Sequence, residues 1–341
     1  MFKELLRKYL SAVALTAFMV FSVSACSDDN SNNTPDAAET QELIKYLEGQ
    51  DVIPSPFVNN IPFLIKAEAL YPEIVDNNDT WAIIDLRAEN DFNNGHIKGS
   101  ANVAMNELLD YYKTNNLSGK DKVVIVSYNG QSSAYATSAL RLLGYSNVYS
   151  MKWGMSAWNK TLDKWTEKVS NQGTESFEKT KRLKPSANNY PSLNTGKTTG
   201  KEIAKEMVSK VLSEGFDAAK IMAKEVLDNP SDYFVICFWL ETRYEDPGHI
   251  QGAYNYEPKT LKDCEFLSTA YLRTLPPDKK IAIYCYSGQT SAFAAAYLRV
   301  IGYDAGTVIY GANDMTYDIL RAKGWGYWHK DKYSHEFDLV K

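Results

Sequence analysis

Two stretches of this chain place a nucleophile in the turn between an apolar run and an alanine-rich run. One is Ile281-Ala282-Ile283-Tyr284-Cys285-Tyr286-Ser287-Gly288-Gln289-Thr290-Ser291; the other is Val123-Val124-Ile125-Val126-Ser127-Tyr128-Asn129-Gly130-Gln131-Ser132-Ser133. A β-branched or aromatic run closed by a Gly-containing turn predicts a strand, a tight loop and then a helix. Backbone N–H groups of such a loop point inward and, with the positive helix end behind them, form a nest for an anion. A cysteine placed there is favoured as thiolate, and an added sulfur atom sits in the same cradle. The cradle around Cys285 comprises Tyr286, Ser287, Gly288, Gln289, Thr290 and Ser291; it holds no Lys or Arg, so backbone dipoles supply most of its stabilisation. Ser127 stands where the other loop has Cys285 and marks a degenerate site that keeps the nest without the thiol. Nothing beside Ser127 marks a general base, which argues against a serine hydrolase.

Cysteine phosphatases and arsenate reductases hold their oxyanion with an Arg six or seven residues after the Cys. Those positions are Ser291 and Ala292, and the next Arg is Arg299, two turns along the helix. That chemistry is set aside.

The elements that position the two loops repeat at about 155 residues. Gly95-His96-Ile97-Lys98-Gly99 answers to Gly248-His249-Ile250-Gln251-Gly252 at an offset of 153, and Ser127 answers to Cys285 at an offset of 158. Strands are expected at 81–86, 122–127 and 147–150, with counterparts at 233–238, 280–285 and 307–310. Helical patterns fall at 105–113, 133–143, 264–274 and 290–301, and an amphipathic helix pair is expected over 200–228. Alternating strands and helices call for parallel sheets covered on both faces: two small α/β domains, at 41–167 and 200–341. The Ser-, Asn-, Thr- and Pro-rich stretch 168–199 is the linker.

With these residues in view, the chain resembles the rhodanese family of sulfurtransferases. The strand–Cys-x-x-Gly-x-Thr-Ser–helix unit, the Gly-His-Ile-x-Gly turns, Asp85-x-Arg87 and Lys152-Trp153-Gly154-Met155-Ser156-Ala157-Trp158 carry the likeness over roughly 60–165 and 200–330. The resemblance implies two rhodanese-like α/β domains, the first inactive and the second a sulfurtransferase or sulfane-sulfur carrier. It implies a ping-pong mechanism: Cys285 takes the outer sulfur of a small anion such as thiosulfate or polysulfide and passes it to a thiol or protein acceptor. No cofactor is needed. The second domain departs from the pattern: counting eleven residues back from His249 puts Phe238 where the first has Asp85, and Leu240 for Arg87, with Arg243 a candidate substitute.

The N-terminus sets the expected location. Lys3, Arg7 and Lys8 precede an apolar run, Leu10 to Val23, that rises only about 21 Å as a helix, short of a roughly 30 Å bilayer core. With Val23-Ser24-Ala25-Cys26 behind it, this reads as a lipoprotein signal peptide over 1–25, cut before a lipidated Cys26. Residues 26–40 lack large apolar side chains and read as a flexible tether. Ser27 after Cys26 resembles outer-membrane-sorted lipoproteins, which places the body at the cell envelope, facing either side. Three acyl chains would anchor it to the membrane firmly. The full chain of 341 residues carries 37 basic and 42 acidic residues, net −5; without 1–25 the counts are 34 and 41, net −7. A mildly acidic chain without basic runs gives no nucleic-acid footprint.

With Cys26 lipidated, Cys237, Cys264 and Cys285 remain, an odd number for an oxidising compartment. Cys237 reads as a small buried hydrophobe, and Cys264 as a possible resolving thiol. His96 and His249 read as turn organisers; His329 and His335 are too isolated for a metal site. Trp153, Trp158, Trp325 and Trp328 read as packing residues. A second function class stands beside the enzyme: a non-catalytic lipoprotein in which the domain pair docks to an envelope complex, one for electron transfer for instance, and Cys285 is incidental.

Overall fold

A computed structural model describes residues 37–49, 63–258 and 265–341. The signal segment, Cys26, most of the tether and Cys264 lie outside the described residues. The first repeat supplies β1 (Leu64–Ile65), β2 (Trp81–Asp85), β3 (Ala101–Asn102), β4 (Lys122–Val126) and β5 (Val148–Met151). The linker supplies β6 (Phe177–Glu178). The second repeat supplies β7 (Lys220–Ile221), β8 (Phe234–Cys237), β9 (His249–Ile250), β10 (Tyr254–Asn255), β11 (Ile281–Tyr284) and β12 (Ala305–Val308). Two parallel five-stranded sheets result, in orders β1-β5-β4-β2-β3 and β7-β12-β11-β8-β10, the same topology twice; β6 pairs antiparallel with β9.

Side-chain alternation along the central strands sorts the hydrophobic core into three parts. Ile84, Val123 and Ile125 from one sheet, and Phe234, Ile236, Ile281 and Ile283 from the other, share a single inner core. Ile83, Val124 and Val126 face a separate outer core, as do Val235, Ala282 and Tyr284 on the second sheet. Because both faces are covered, the strands read as continuous apolar runs. Helices Gln131–Arg141 and Gln289–Ile301 fill the inner core and pack on one another. Both are buried almost all round, and the Ala-rich sequence of the second lets neighbouring backbones approach.

The ends of the chain cross over. Helix Ala38–Glu48 packs on helix Gly200–Glu214 of the second repeat. That second helix starts at an N-cap, where Thr199 Oγ1 accepts from Glu202 N at 3.3 Å. Segment 334–340 lies instead on the first repeat. His96 and Val340 exchange two backbone hydrogen bonds of 2.9 Å, Trp158 Nε1 donates to Asp338 O (2.9 Å), Ser334 Oγ to Ser156 O (2.6 Å), and Phe337 stacks on Tyr71 at 4.0 Å.

Three expectations change. The tether ends earlier than residue 40: Thr40 is buried and donates to Pro191 O (2.6 Å), while the Glu39 carboxylate accepts from Thr195 N and Gly196 N. The stretch 265–274 is not a helix but turns with a 3₁₀ turn at Leu272–Thr274; Glu48 takes the Ser268 N–H, and Pro276-Pro277 follow at once. The helix pair over 200–228 is one long helix that stops at Gly215, then a 3₁₀ turn, β7 and the short helix Ala223–Asp228.

Candidate functional site

Cys285 follows β11 on the inner face, and Gly288 caps the next helix at φ 75°, a left-handed conformation that favours glycine. Cys285 is only 4% exposed, so it lies at the floor of the loop, within the shared core. The two helices that follow the loops, Gln131–Arg141 and Gln289–Ile301, pack on each other beside it. Tyr286, Ser287 and Thr290 are half-buried, while Gly288, Gln289 and Ser291 are buried. Cys285 Sγ accepts from Ser291 N (3.4 Å) and Ser291 Oγ (3.5 Å), and Ser291 Oγ pairs with Thr307 Oγ1 at 2.7 Å.

Ser127 occupies the equivalent floor. Its Oγ accepts from Gly130 N (3.1 Å) and Ser133 N (3.3 Å) and donates to Ser133 Oγ (3.1 Å), which pairs with Ser150 Oγ at 2.8 Å. The serine thus consumes loop donors that an anion would use. In front of this loop lies a cavity of about 320 Å³, lined by Leu86, Met105, Tyr128, Ser132, Phe216 and Lys220.

A turn carries each loop from behind. Ala312 N donates to Cys285 O (2.9 Å), and Asn313 N and Nδ2 donate to Tyr286 O (3.1 and 2.7 Å). Gly311 sits so close that a Cβ there would lie 2.3 Å from Cys285 O. With those carbonyls held at the turn, peptide planarity aims the N–H groups of Tyr286 and Ser287 the opposite way.

The two domains differ most at the Asp-x-Arg position, and here the alignment by counting is corrected. Strand register pairs Asp85 with Asn102 and Cys237 with Asn255. Asn102 Nδ2 donates to the carbonyls of Asp85 and Arg87, and Asn255 Nδ2 to those of Cys237 and Trp239. Cys237 and Trp239, not Phe238 and Leu240, therefore replace the acid and the arginine, and the second domain carries one extra residue between Tyr244 and Gly248. In the first domain Asp85 and Arg87 form an ion pair with side chains 0% and 1% exposed, and Arg87 also donates to Gly95 O at 2.8 Å. In the second, burial pushes the Cys237 thiol up, and Trp239 stacks on Tyr286 at 4.9 Å. Cys237 faces the outer core and Cys285 the inner one. Both are free thiols.

The same register sets Arg243 opposite Asp91. The Tyr128 hydroxyl donates to Asp91, whereas the Tyr286 hydroxyl accepts from Arg243 Nη1 at 2.8 Å. Burial pushes the Tyr286 phenol up to about 12, against the opposing pull of Arg243, so it stays neutral. Arg243 also lies over Trp325, 4.7 Å from the ring centre. A cation therefore stands at the edge of the cysteine loop although the loop's sequence has none. Sequence reading left Arg243 as a candidate because its Tyr286 partner is 43 residues away.

The histidines organise turns. His96 Nδ1 lies 3.0 Å from Phe92 O; His249 Nδ1 lies 2.9 Å from Tyr244 O, and burial pulls its imidazole below the ordinary value. Arg299 pairs with Glu214 at 2.6 Å, away from the loop. Among the described residues, no group of His, Cys, Asp and Glu is arranged to hold a metal ion, and no helix is long and apolar enough to cross a membrane.

The rhodanese-like domain family matches the chain twice, over residues 67–161 and 223–314. The chain belongs to that family. Its two rhodanese-like domains are each a parallel sheet flanked by helices. Over 78 residues, 23% of this chain and 75% of the relative, it is 37% identical to thiosulfate sulfurtransferase GlpE of Shewanella oneidensis. Over 97 residues, 28% of this chain and 87% of the relative, it is 33% identical to thiosulfate sulfurtransferase GlpE of Pseudoalteromonas translucida. A rhodanese-related protein of Thermoplasma volcanium is 26% identical over 28% of this chain and 87% of that one, with a TM-score of 0.23.

Proposed function

We propose that the second domain is a sulfurtransferase or sulfane-sulfur carrier with Cys285 as nucleophile. The observation that carries this reading is the loop itself, in which Cys285 Sγ meets the first turn of a helix and Arg243 stands at the edge. The thiolate attacks the outer sulfur of thiosulfate; the S–S bond breaks, sulfite leaves with its electron pair, and Cys285 persulfide remains. A thiol, a protein acceptor or cyanide then takes that sulfur and restores the thiolate. The test is the intact mass of the purified protein after exposure to thiosulfate or polysulfide. A gain of about 32 Da per sulfur, discharged by cyanide, supports the reading. No adduct from any donor, with Cys285 reduced and alkylatable, favours the docking lipoprotein instead, a rival to which the burial of Cys285 lends weight.

Arg243 is expected to recruit the anionic donor. Arg243→Gln should raise KM for thiosulfate by roughly tenfold, about 1.4 kcal/mol, and flatten its salt dependence with kcat little changed. An unchanged KM would remove Arg243 from donor binding.

We further propose that the body is tethered to the envelope, at the outer membrane, through lipidated Cys26. Globomycin, which blocks lipoprotein signal cleavage, should then cause precursor to accumulate, and Cys26→Ala should leave the membrane fraction; a Cys26→Ala protein that stays membrane-bound sinks the proposal.

A further inference from the structure

The two loops are locked to each other through a reciprocal pair of buried glutamines. Gln131, 1% exposed, accepts through Oε1 from Tyr310 N of the other domain at 2.8 Å. Gln289, fully buried, accepts through Oε1 from Trp153 N at 3.1 Å and donates to Gly130 O at 3.2 Å. Each glutamine opens the helix after its own loop and reaches the turn behind the opposite loop. The fit is close: a Cβ on Gly288 would lie 2.2 Å from Gln131 Oε1, and one on Gly130 would lie 2.2 Å from Gln289 Nε2.

The Tyr310 turn is the one that holds the cysteine loop. Tyr310 adopts φ 61° and Gly311 φ 55°, both left-handed, a conformation that is unfavourable for a tyrosine and persists only where neighbours over-determine it. Gln131 supplies one of those determinants. From Tyr310 the chain passes through Gly311 into Ala312 and Asn313, which grip the Cys285 and Tyr286 carbonyls.

We infer that Gln131, in the domain that cannot carry sulfur, is a positioning residue for Cys285: it fixes the Tyr310–Asn313 turn and through it the direction of the loop amides. This rests on the sulfur-loading reading of Cys285. The first domain is then part of the second domain's site rather than a spare acceptor. Without the Oε1 acceptor, the Tyr310 N–H loses its buried partner, the turn relaxes, and the Cys285 and Tyr286 carbonyls lose their fixed direction, and with them the adjoining loop amides.

The test uses the full chain with Gln131→Met, which keeps the side-chain length and removes the acceptor, and Gln131→Asn, which is too short to reach. Iodoacetamide labelling of Cys285, located by peptide mass, is followed as a function of pH. Both variants are expected to displace the rate profile to higher pH by about half a unit, roughly a threefold slower reaction at neutral pH. Ser334→Ala, which removes a different interdomain hydrogen bond, serves as the control and should lower thermal stability without moving the profile. If Gln131→Met fails to fold, Gln131→Asn decides by the same criterion. A profile that superimposes on that of the unmodified chain, or one moved equally by Ser334→Ala, overturns the inference. If no donor loads Cys285 yet the profile moves, the sulfur-transfer reading falls and the positioning role stands.

Discussion

Cys285→Ser is expected to abolish every sulfur adduct and to lower sulfur transfer by roughly 10³-fold or more, with the fold intact. The first domain shows why the fold should survive. Ser127 already occupies this position, on the same face of an equivalent strand, before an equivalent helix. Its hydroxyl finds Gly130 N, Ser133 N and Ser133 Oγ. A serine at 285 meets the corresponding Ser291, itself paired with Thr307. The expected stability change is within about 1 kcal/mol, since the exchange leaves no polar group stranded. Intact mass after thiosulfate reads the chemistry and thermal melting reads the fold. An adduct that persists in the variant would transfer the nucleophile's role to Cys237 or Cys264.

Arg87→Met is expected to destabilise the protein by about 3–5 kcal/mol, because it leaves the Asp85 carboxylate buried and uncompensated. The pair is tight: Arg87 Nε lies 3.1 and 3.0 Å from the two Asp85 oxygens, Nη2 lies 2.7 Å from Oδ2, and neither side chain reaches solvent. The second domain supplies the control, since it fills the same two places with Cys237 and Trp239, without a charge. Asp85→Cys with Arg87→Trp should therefore cost less than Arg87→Met alone, with the indole stacking on Tyr128 as Trp239 does on Tyr286. Thermal melting of the two variants decides it. A double variant as unstable as the single one would show that packing around Arg87, rather than its charge, is what the site requires.

Much of this was legible in local pattern. The central strands and the two buried helices declared themselves by apolar runs and Ala-rich stretches, and the loop chemistry by Cys285 ahead of Gly288. The edge strands β1, β3, β7 and β10 are two residues each, too short to give a period. Counting back from His249 misplaced the Asp-x-Arg equivalents by one residue, because the extra residue near Pro247 has no signature of its own; only pairing with Asn255 fixes the register. The stretch 265–274 carried helical spacing, yet Glu48, more than 200 residues earlier, takes its Ser268 N–H. The grip of Gln131 was invisible for the same reason. It is set by the other domain, and a buried glutamine looks like a surface one until its partner 179 residues away is known.

The crossing of the chain ends bears on how the protein is born. Domains of a growing chain ordinarily fold in the order in which they are made. Here the His96 turn must wait for Val340, and Trp158 for Asp338, before their hydrogen bonds are complete. Helix Ala38–Glu48, made early, finds its seat only once helix Gly200–Glu214 exists. Each domain is thus finished by residues from the far side of the other, and the chain is pushed toward maturing all at once, after synthesis, rather than in two instalments. Cutting the chain before Ser334 would unclasp the domain that was made first.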